Sequence, residues 1–221
     1  MISDVFYRIT KFILFVFFKI LFRLQVFGKN NFPSVGGFIV AANHLSYLDP
    51  VVVGISSPRN LHYLAREDLF GNKVFGFLLS HLGAIPLKRD STKDIGALKK
   101  AFSLLAKKKG VCVFPEGARS LSGKLQKLQA GIGLLAIKSR CPVVPVLIVG
   151  TDKALPVKAK FIKLEKVIAY VGKPIFPPQV SDDHEDFENF THKIEDSLKE
   201  LEYRVKNFNK LEDTTKKNNR A

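Results

Sequence analysis

The stretch AANHLSYLDP, Ala41–Pro50, holds a histidine and, five positions on, an aspartate. These side-chain types can act as a base and its orienter. A carboxylate that fixes the proton on one imidazole nitrogen leaves the other as a general base near neutral pH. Helix neighbours stand three or four apart, so a separation of five does not put His44 and Asp49 on one helical face. A strand end, a turn and the first turn of a helix would bring them together, and Pro50 marks a change of direction there. Read alone, the segment equally describes an Asn-His turn with Asp49 as a helix cap, and that is the commoner use of such residues.

Three later stretches hold further candidates. GAIPLKRD, Gly83–Asp90, runs an apolar strand into Lys88 and Arg89, placing cations at a carboxyl end, the edge where open α/β sheets bind ligands. A solvated basic loop is the plainer account of that pair. VCVFPEGARS, Val111–Ser120, ends a buried strand in Pro-Glu-Gly and an arginine. Glu116 could hydrogen-bond a hydroxyl, Gly117 permits a tight turn with close backbone approach, and Arg119 offers a bidentate fork for phosphate. An ordinary strand exit would use the same residues. CPVVPVLIVG, Cys141–Gly150, reads as a core strand, with a wall for an apolar tail as its weaker functional sense.

The elements that must position these residues follow from the hydrophobic pattern. Strands are expected at Phe38–Ala42, Leu61–Ala65, Ala84–Leu87, Val111–Phe114, Val143–Val149 and Lys166–Val171, with helices at Asn72–Gly83, Ser91–Gly110 and Ala130–Arg140 between them. The alternation predicts an α/β fold, a mostly parallel buried sheet flanked by helices. A long amphipathic helix, acidic first and basic last, follows from Asp182, and residues 213–221 read as a disordered basic tail. The chemistry would thus sit in one domain, residues 29–212, behind an N-terminal segment, residues 1–28.

That segment includes VFYRITKFILFVFFKILFRL, Val5–Leu24, whose longest uncharged run is Phe12–Phe18. This is far short of the roughly 20 residues that span a bilayer. At about 100° per residue, Arg8, Lys11, Lys19 and Arg23 fall within an arc of about 120°, and the rest is Phe, Leu, Ile and Val. A basic stripe beside a Phe-rich face predicts an amphipathic helix lying in a membrane interface, in preference to a helix packed only on the core. Charges recurring through the apolar part, with no small-residue cleavage site, argue against a signal peptide.

Charge narrows the partners. Among 221 residues, 35 are basic and 20 acidic, net +15, a field that draws anionic lipid, a phosphorylated substrate, nucleic acid or an acidic carrier protein. No nucleic-acid recognition motif is present, and the Phe-rich N-terminus suits lipid, so no nucleic-acid partner is expected. No Gly-x-Ser-x-Gly occurs to serve a serine hydrolase. Cys112 and Cys141, each in an apolar run, read as inert core thiols rather than nucleophiles or metal ligands. A basic membrane-binding scaffold without catalysis is the remaining alternative.

Taken in order, NHLSYLDP, GAIPLKRD, FPEGARS and CPVVPV closely resemble the four sequence blocks of the glycerolipid acyltransferases, the PlsC type that acylates 1-acylglycerol-3-phosphate. The resemblance covers about half the chain. It implies a glycerol-3-phosphate acyltransferase-like domain on the cytoplasmic face of the inner or plasma membrane. Its reaction would move an acyl chain from acyl-CoA or acyl-carrier protein to the acceptor hydroxyl, giving phosphatidic acid, with no metal and no cofactor. By position, His44 would deprotonate the acceptor and Asp49 would orient it. Arg89 would contact the acceptor phosphate, Glu116, Gly117 and Arg119 would bind and position the acceptor, and the stretch near Pro145 would help form the acyl site. Two departures stand out: Ala118 replaces a common threonine, and Gln129 stands where a lysine is common. They open the acceptor to other lysophospholipids or a lyso-aminolipid.

Overall fold

The run FIVAA is apolar throughout because it is covered on both faces: every residue of Phe38–Ala42 is buried. Its alternation decides which layer each side chain joins. Phe38, Val40 and Ala42 enter one core, and Ile39 and Ala41 enter the other.

A computed structural model of the chain describes residues 2–67, 71, 83–87, 95–157, 159, 161–179 and 183–218. In chain order the elements are α1 (Ile2–Leu21), β1 (Gln25–Phe27), β2 (Phe38–Ala42), α2 (Asp49–Ser56), β3 (Leu61–Arg66), β4 (Ala84–Leu87), α3 (Ile95–Ala106), β5 (Gly110–Val113), α4 (Gly131–Ser139), β6 (Val143–Val149), α5 (Thr151–Ala154), β7 (Ile168–Val171) and α6 (His184–Asn218). The seven strands form one sheet, ordered β1-β7-β6-β2-β5-β3-β4. Strands β2 to β6 are parallel, whereas β7 pairs antiparallel with β6 and carries β1 beside it. The sheet is therefore mixed, with two reversed strands at one edge of a parallel set. Helices α1 and α2 cover one face, and α3, α4 and α6 the other. Phe22, Ile194 and Leu198 are among the largest fully buried side chains, and each such burial contributes about 1.5–3 kcal/mol.

Three expected strands, Phe38–Ala42, Ala84–Leu87 and Val143–Val149, fall where the pattern put them, and the other three differ by one or two residues at one or both ends. The three-residue β1 gives no periodicity and exists because Gln25 pairs across to Ile168. Residues 72–82 of the helix expected at Asn72–Gly83, and the capping pair Ser91 and Asp94, lie outside the described residues. At the other end α6 continues to Asn218, through residues 213–218 of the tail expected to be disordered. Nothing there interrupts the backbone ladder, since KLEDTTKKNN has neither Gly nor Pro.

The N-terminal helix shares its faces between two uses. Tyr7, Phe18 and Phe22 are buried against the domain, so core packing takes one side. The Tyr7 hydroxyl accepts from the Leu61 N–H at 3.2 Å. Lys11 turns inward to donate to the carbonyls of Ser57 and Arg59, and burial, with Lys29 nearby, pushes its ammonium down to about 8. Ile9, Phe12, Ile13, Phe17 and Ile20 remain exposed, Phe12 at 67% and Ile20 at 69%. No described helix is long and apolar enough to cross a membrane.

Candidate active site

Strand β2 is the middle of the seven, and it ends by presenting Asn43 and His44 at the carboxyl edge of the parallel strands. The Asn43 side chain extends the sheet where the main-chain ladder stops. It donates to the Ile148 carbonyl at 3.0 Å and accepts from the Ile148 N–H at 2.7 Å. The chain then turns through Leu45–Leu48 and enters α2 at Asp49, with Pro50 in the first turn, where its missing N–H leaves no gap.

That turn is built around one carboxylate oxygen. Asp49 Oδ2 accepts from the Leu45 and Ser46 N–H groups at 2.6 and 2.7 Å and meets His44 Nδ1 at 2.9 Å. Asp49 is 0% exposed, and the His44 side chain 19%. A carboxylate can only accept, so Nδ1 carries the proton and Nε2 is left with its lone pair, unpartnered among the described residues. The imidazole also lies flat on Phe114, ring centroids 4.2 Å apart. The base-and-orienter geometry and the turn-plus-cap geometry are thus the same structure, with one aspartate performing both.

The next strand over, β5, brings in the second stretch. Glu116 is buried, and each of its carboxylate oxygens accepts a backbone N–H, Oε1 from His44 at 2.8 Å and Oε2 from Gln126 at 3.1 Å. Burial pushes the Glu116 carboxyl above its ordinary value, against the opposing pull of those two bonds. The Ser120 N–H donates to the His44 carbonyl at 2.8 Å. His44 is therefore clamped at both backbone groups by the 116–120 loop, and Glu116 acts on the site first through that clamp.

Gly117 makes the loop's turn with φ +78°, and a Cβ there would lie 2.2 Å from the Gln129 amide nitrogen. The left-handed backbone alone costs a non-glycine residue about 1–2 kcal/mol. Gly117→Ala is expected to lower unfolding free energy by about that amount in urea titrations.

Arg119 stacks on the exposed Tyr47 ring at 3.5 Å and donates from Nη2 to the Tyr47 hydroxyl at 2.9 Å. Its Nη1 is buried with no partner among the described residues. Stacking holds the guanidinium beside the His44 turn with donors to spare. Lys124 and Lys127 are exposed on the following loop. Arg89 lies outside the described residues. The strand before it, β4, ends at Leu87 and stands three places from β2, about 14 Å at ordinary strand spacing. Pro145 is buried in β6 opposite Ala41. Both cysteines are buried, and burial raises both thiols, which suits the inert reading. Among the described residues no three His, Cys, Asp or Glu side chains gather as a metal site.

The structure thus brings together His44, Asp49, Glu116, Gly117 and Arg119. Sequence reading did not single out Asn43, Tyr47, Phe114 or Gln126. Tyr47 and Asn43 lie inside the NHLSYLDP stretch, whereas Gln126 carried no signal, since it acts through its backbone.

Comparison with known proteins identifies the family. The family model described as Acyltransferase matches residues 23–149. A chloroplastic 1-acyl-sn-glycerol-3-phosphate acyltransferase of Brassica napus is 30% identical over 158 residues, 70% of this chain and 46% of that protein. The chain therefore spans less than half the length of that relative. A 1-acyl-sn-glycerol-3-phosphate acyltransferase of Bacillus subtilis is 26% identical over 185 residues, 82% of this chain and 89% of that one. The crystal structure of the 1-acyl-sn-glycerophosphate acyltransferase PlsC from Thermotoga maritima superposes with a TM-score of 0.72 at 26% identity, covering 89% of this chain and 81% of that one. With the matched segment running through His44, Asp49, Glu116 and Arg119, this chain belongs to the acyltransferase family.

Proposed function

We propose that the protein transfers a fatty acyl chain from a thioester, acyl-CoA or acyl-carrier protein, to the free hydroxyl of 1-acylglycerol-3-phosphate, yielding phosphatidic acid in phospholipid synthesis. The observation that carries the proposal is the 2.9 Å contact of His44 Nδ1 with the buried Asp49 carboxylate, one turn from a stacked arginine with an unused donor. Nε2 of His44 takes the hydroxyl proton as the oxygen attacks the thioester carbonyl. The C–S bond then breaks, and the imidazolium returns the proton to the leaving thiolate. Asp49 holds the imidazole in its tautomer and stabilises the imidazolium. Arg119 receives the acceptor phosphate, with Arg89 as a second cation, and Glu116 and Gly117 shape the loop that positions it. The chemistry draws on side chains and calls on no metal or cofactor.

The reading places the protein on the cytoplasmic face of the inner or plasma membrane. Exposed Ile9, Phe12, Ile13, Phe17 and Ile20 on α1 enter an anionic lipid interface, and the net charge of +15 supplies the attraction. Ala118 and Gln129 favour a second acceptor class, another lysophospholipid or a lyso-aminolipid. Gln129 sets a neutral amide against the Gly117 turn, where the family resemblance implies a lysine.

The test is acyl transfer in mixed micelles from labelled acyl-CoA, and separately from acyl-carrier protein, to lysophosphatidate. Turnover is expected with at least one donor. Turnover only with a different lysolipid would replace the acceptor, and vesicle binding without turnover on any acceptor would favour the scaffold reading.

A further inference from the structure

We propose that the loop between α5 and β7 is a second membrane contact, which inserts beside the active site and turns the carboxyl edge of the sheet toward an anionic lipid surface. The inference rests on the reading of α1 as an interfacial helix and extends it from one contact to two.

Phe161, Ile162 and Leu164 stand within four positions of one another and are exposed, Phe161 at 82%. They lie in PVKAKFIKLEK, Pro156–Lys166, which holds four lysines and one glutamate. Lys163 and Lys166 are exposed among them. Apolar tips between lysines match the two layers of an anionic bilayer surface, acyl boundary below and headgroups above. A protein partner would meet the same apolar tips but would need an acidic rim to answer the lysines, and the charge therefore favours lipid.

Position strengthens the case. The Lys163 N–H donates to the Ala154 carbonyl at 2.8 Å, which pins the loop's middle back onto α5. Its start is tied to the catalytic turn, where Ser46 Oγ donates to the Leu155 carbonyl at 2.8 Å. Its end is tied to the chain that leaves α1 and enters β1, where the Val167 N–H donates to the Phe22 carbonyl at 2.9 Å and the Gln25 N–H to the Val167 carbonyl at 3.1 Å. The loop, the His44 turn and the end of α1 thus share one edge of the sheet, beyond Val149 of β6. Helix α1 alone leaves the molecule free to roll about its axis. A second contact off that axis fixes which edge meets the lipid, and that edge carries His44.

The chain has no tryptophan, so a single introduced indole reports its own surroundings. Three variants are compared on vesicles of phosphatidylglycerol and phosphatidylcholine with brominated chains: Phe161→Trp in the loop, Phe12→Trp on α1, and Phe176→Trp. Phe176 is 72% exposed and follows Ile175, which bridges to Val143 at the opposite end of β6, about 20 Å away. Emission of Phe161→Trp is expected to shift to the blue and be quenched by the bromines, and that of Phe176→Trp to stay unchanged. Quenching at Phe12→Trp without quenching at Phe161→Trp overturns this proposal and leaves the α1 reading in place. Quenching at neither overturns both. A blue shift at Phe161→Trp without lipid, growing with protein concentration, assigns the patch to a second copy and overturns the proposal. In a parallel measurement, Phe161→Asp with Ile162→Asp is expected to weaken vesicle binding about tenfold and slow transfer to vesicle-embedded acceptor. Transfer to a short-chain, monodisperse lysolipid should stay within about twofold. Equal losses on both acceptors would make the loop part of the catalytic groove and overturn its role as a membrane contact.

Discussion

His44→Ala is expected to cut acyl transfer about a thousand-fold in a protein that still folds. That factor corresponds to about 4 kcal/mol of lost transition-state stabilisation, the scale of a missing general base. The fold should survive because the turn does not depend on the imidazole. The backbone of residue 44 is held by Glu116 at its N–H and by Ser120 at its carbonyl, and neither bond uses the side chain. Truncation removes the stack on Phe114 and one of three hydrogen bonds to Asp49 Oδ2. The site is partly open to solvent, so water can take the lost position on the carboxylate, and the expected loss of stability is about 1–2 kcal/mol. Two readouts separate a chemical role from a structural one. Circular dichroism and the urea midpoint should stay near wild type, and added imidazole should restore part of the turnover by entering the vacated space. Activity within about tenfold of wild type would mean that the acceptor loses its proton elsewhere.

How much of this was legible in the sequence depends on the range over which each feature is determined. Strands such as Phe38–Ala42 and Val143–Val149 could be read because burial on both faces demands an unbroken apolar run, a local property. Strand β1 could not, because Gln25–Phe27 is defined only by its partner 143 positions away. The pairing of His44 with Asp49 could be stated only as one of two readings, since spacing does not fix a turn. The structure shows why the two were hard to separate: Oδ2 caps the turn and orients the ring with the same lone pairs. Glu116 was singled out for a hydroxyl it could bind, yet its nearest partners are two backbone N–H groups, and main-chain donors leave no mark in residue identity. The same holds for Gln126. Tyr47 was hidden differently, since an exposed aromatic in a turn acquires meaning only when Arg119, 72 positions on, lies across its ring. The N-terminal helix was read from its pattern as amphipathic, but the pattern could not show that Lys11 faces inward to cap the end of α2. Local periodicity could not reveal that, because Ser57 and Arg59 come from another element.

The second large effect is expected at Asp49, where two substitutions should part company. In Asp49→Asn the amide oxygen can still accept from the Leu45 and Ser46 N–H groups, so the turn should keep most of its stability. The same oxygen still faces His44 Nδ1, because one carboxylate oxygen makes all three bonds, and the amide nitrogen takes the place of Oδ1, which is buried with no partner among the described residues. The proton can therefore stay on Nδ1, and what the substitution removes is the charge that would stabilise the imidazolium. Transfer should fall by about 10²- to 10³-fold with little change in the urea midpoint. Asp49→Ala deletes the acceptor altogether. Two buried main-chain N–H groups lose their partner, at about 1–3 kcal/mol each, in a protein whose whole stability is of order 5–15 kcal/mol. This variant should melt at markedly lower temperature and lose activity for structural reasons as well as chemical ones. Only the asparagine variant therefore separates the charge from the turn. If Asp49→Asn is both stable and active, an accepting oxygen is all the site requires, and the negative charge serves no chemical step. If it is stable and inactive, the charge beside the imidazolium is what the aspartate is there to supply.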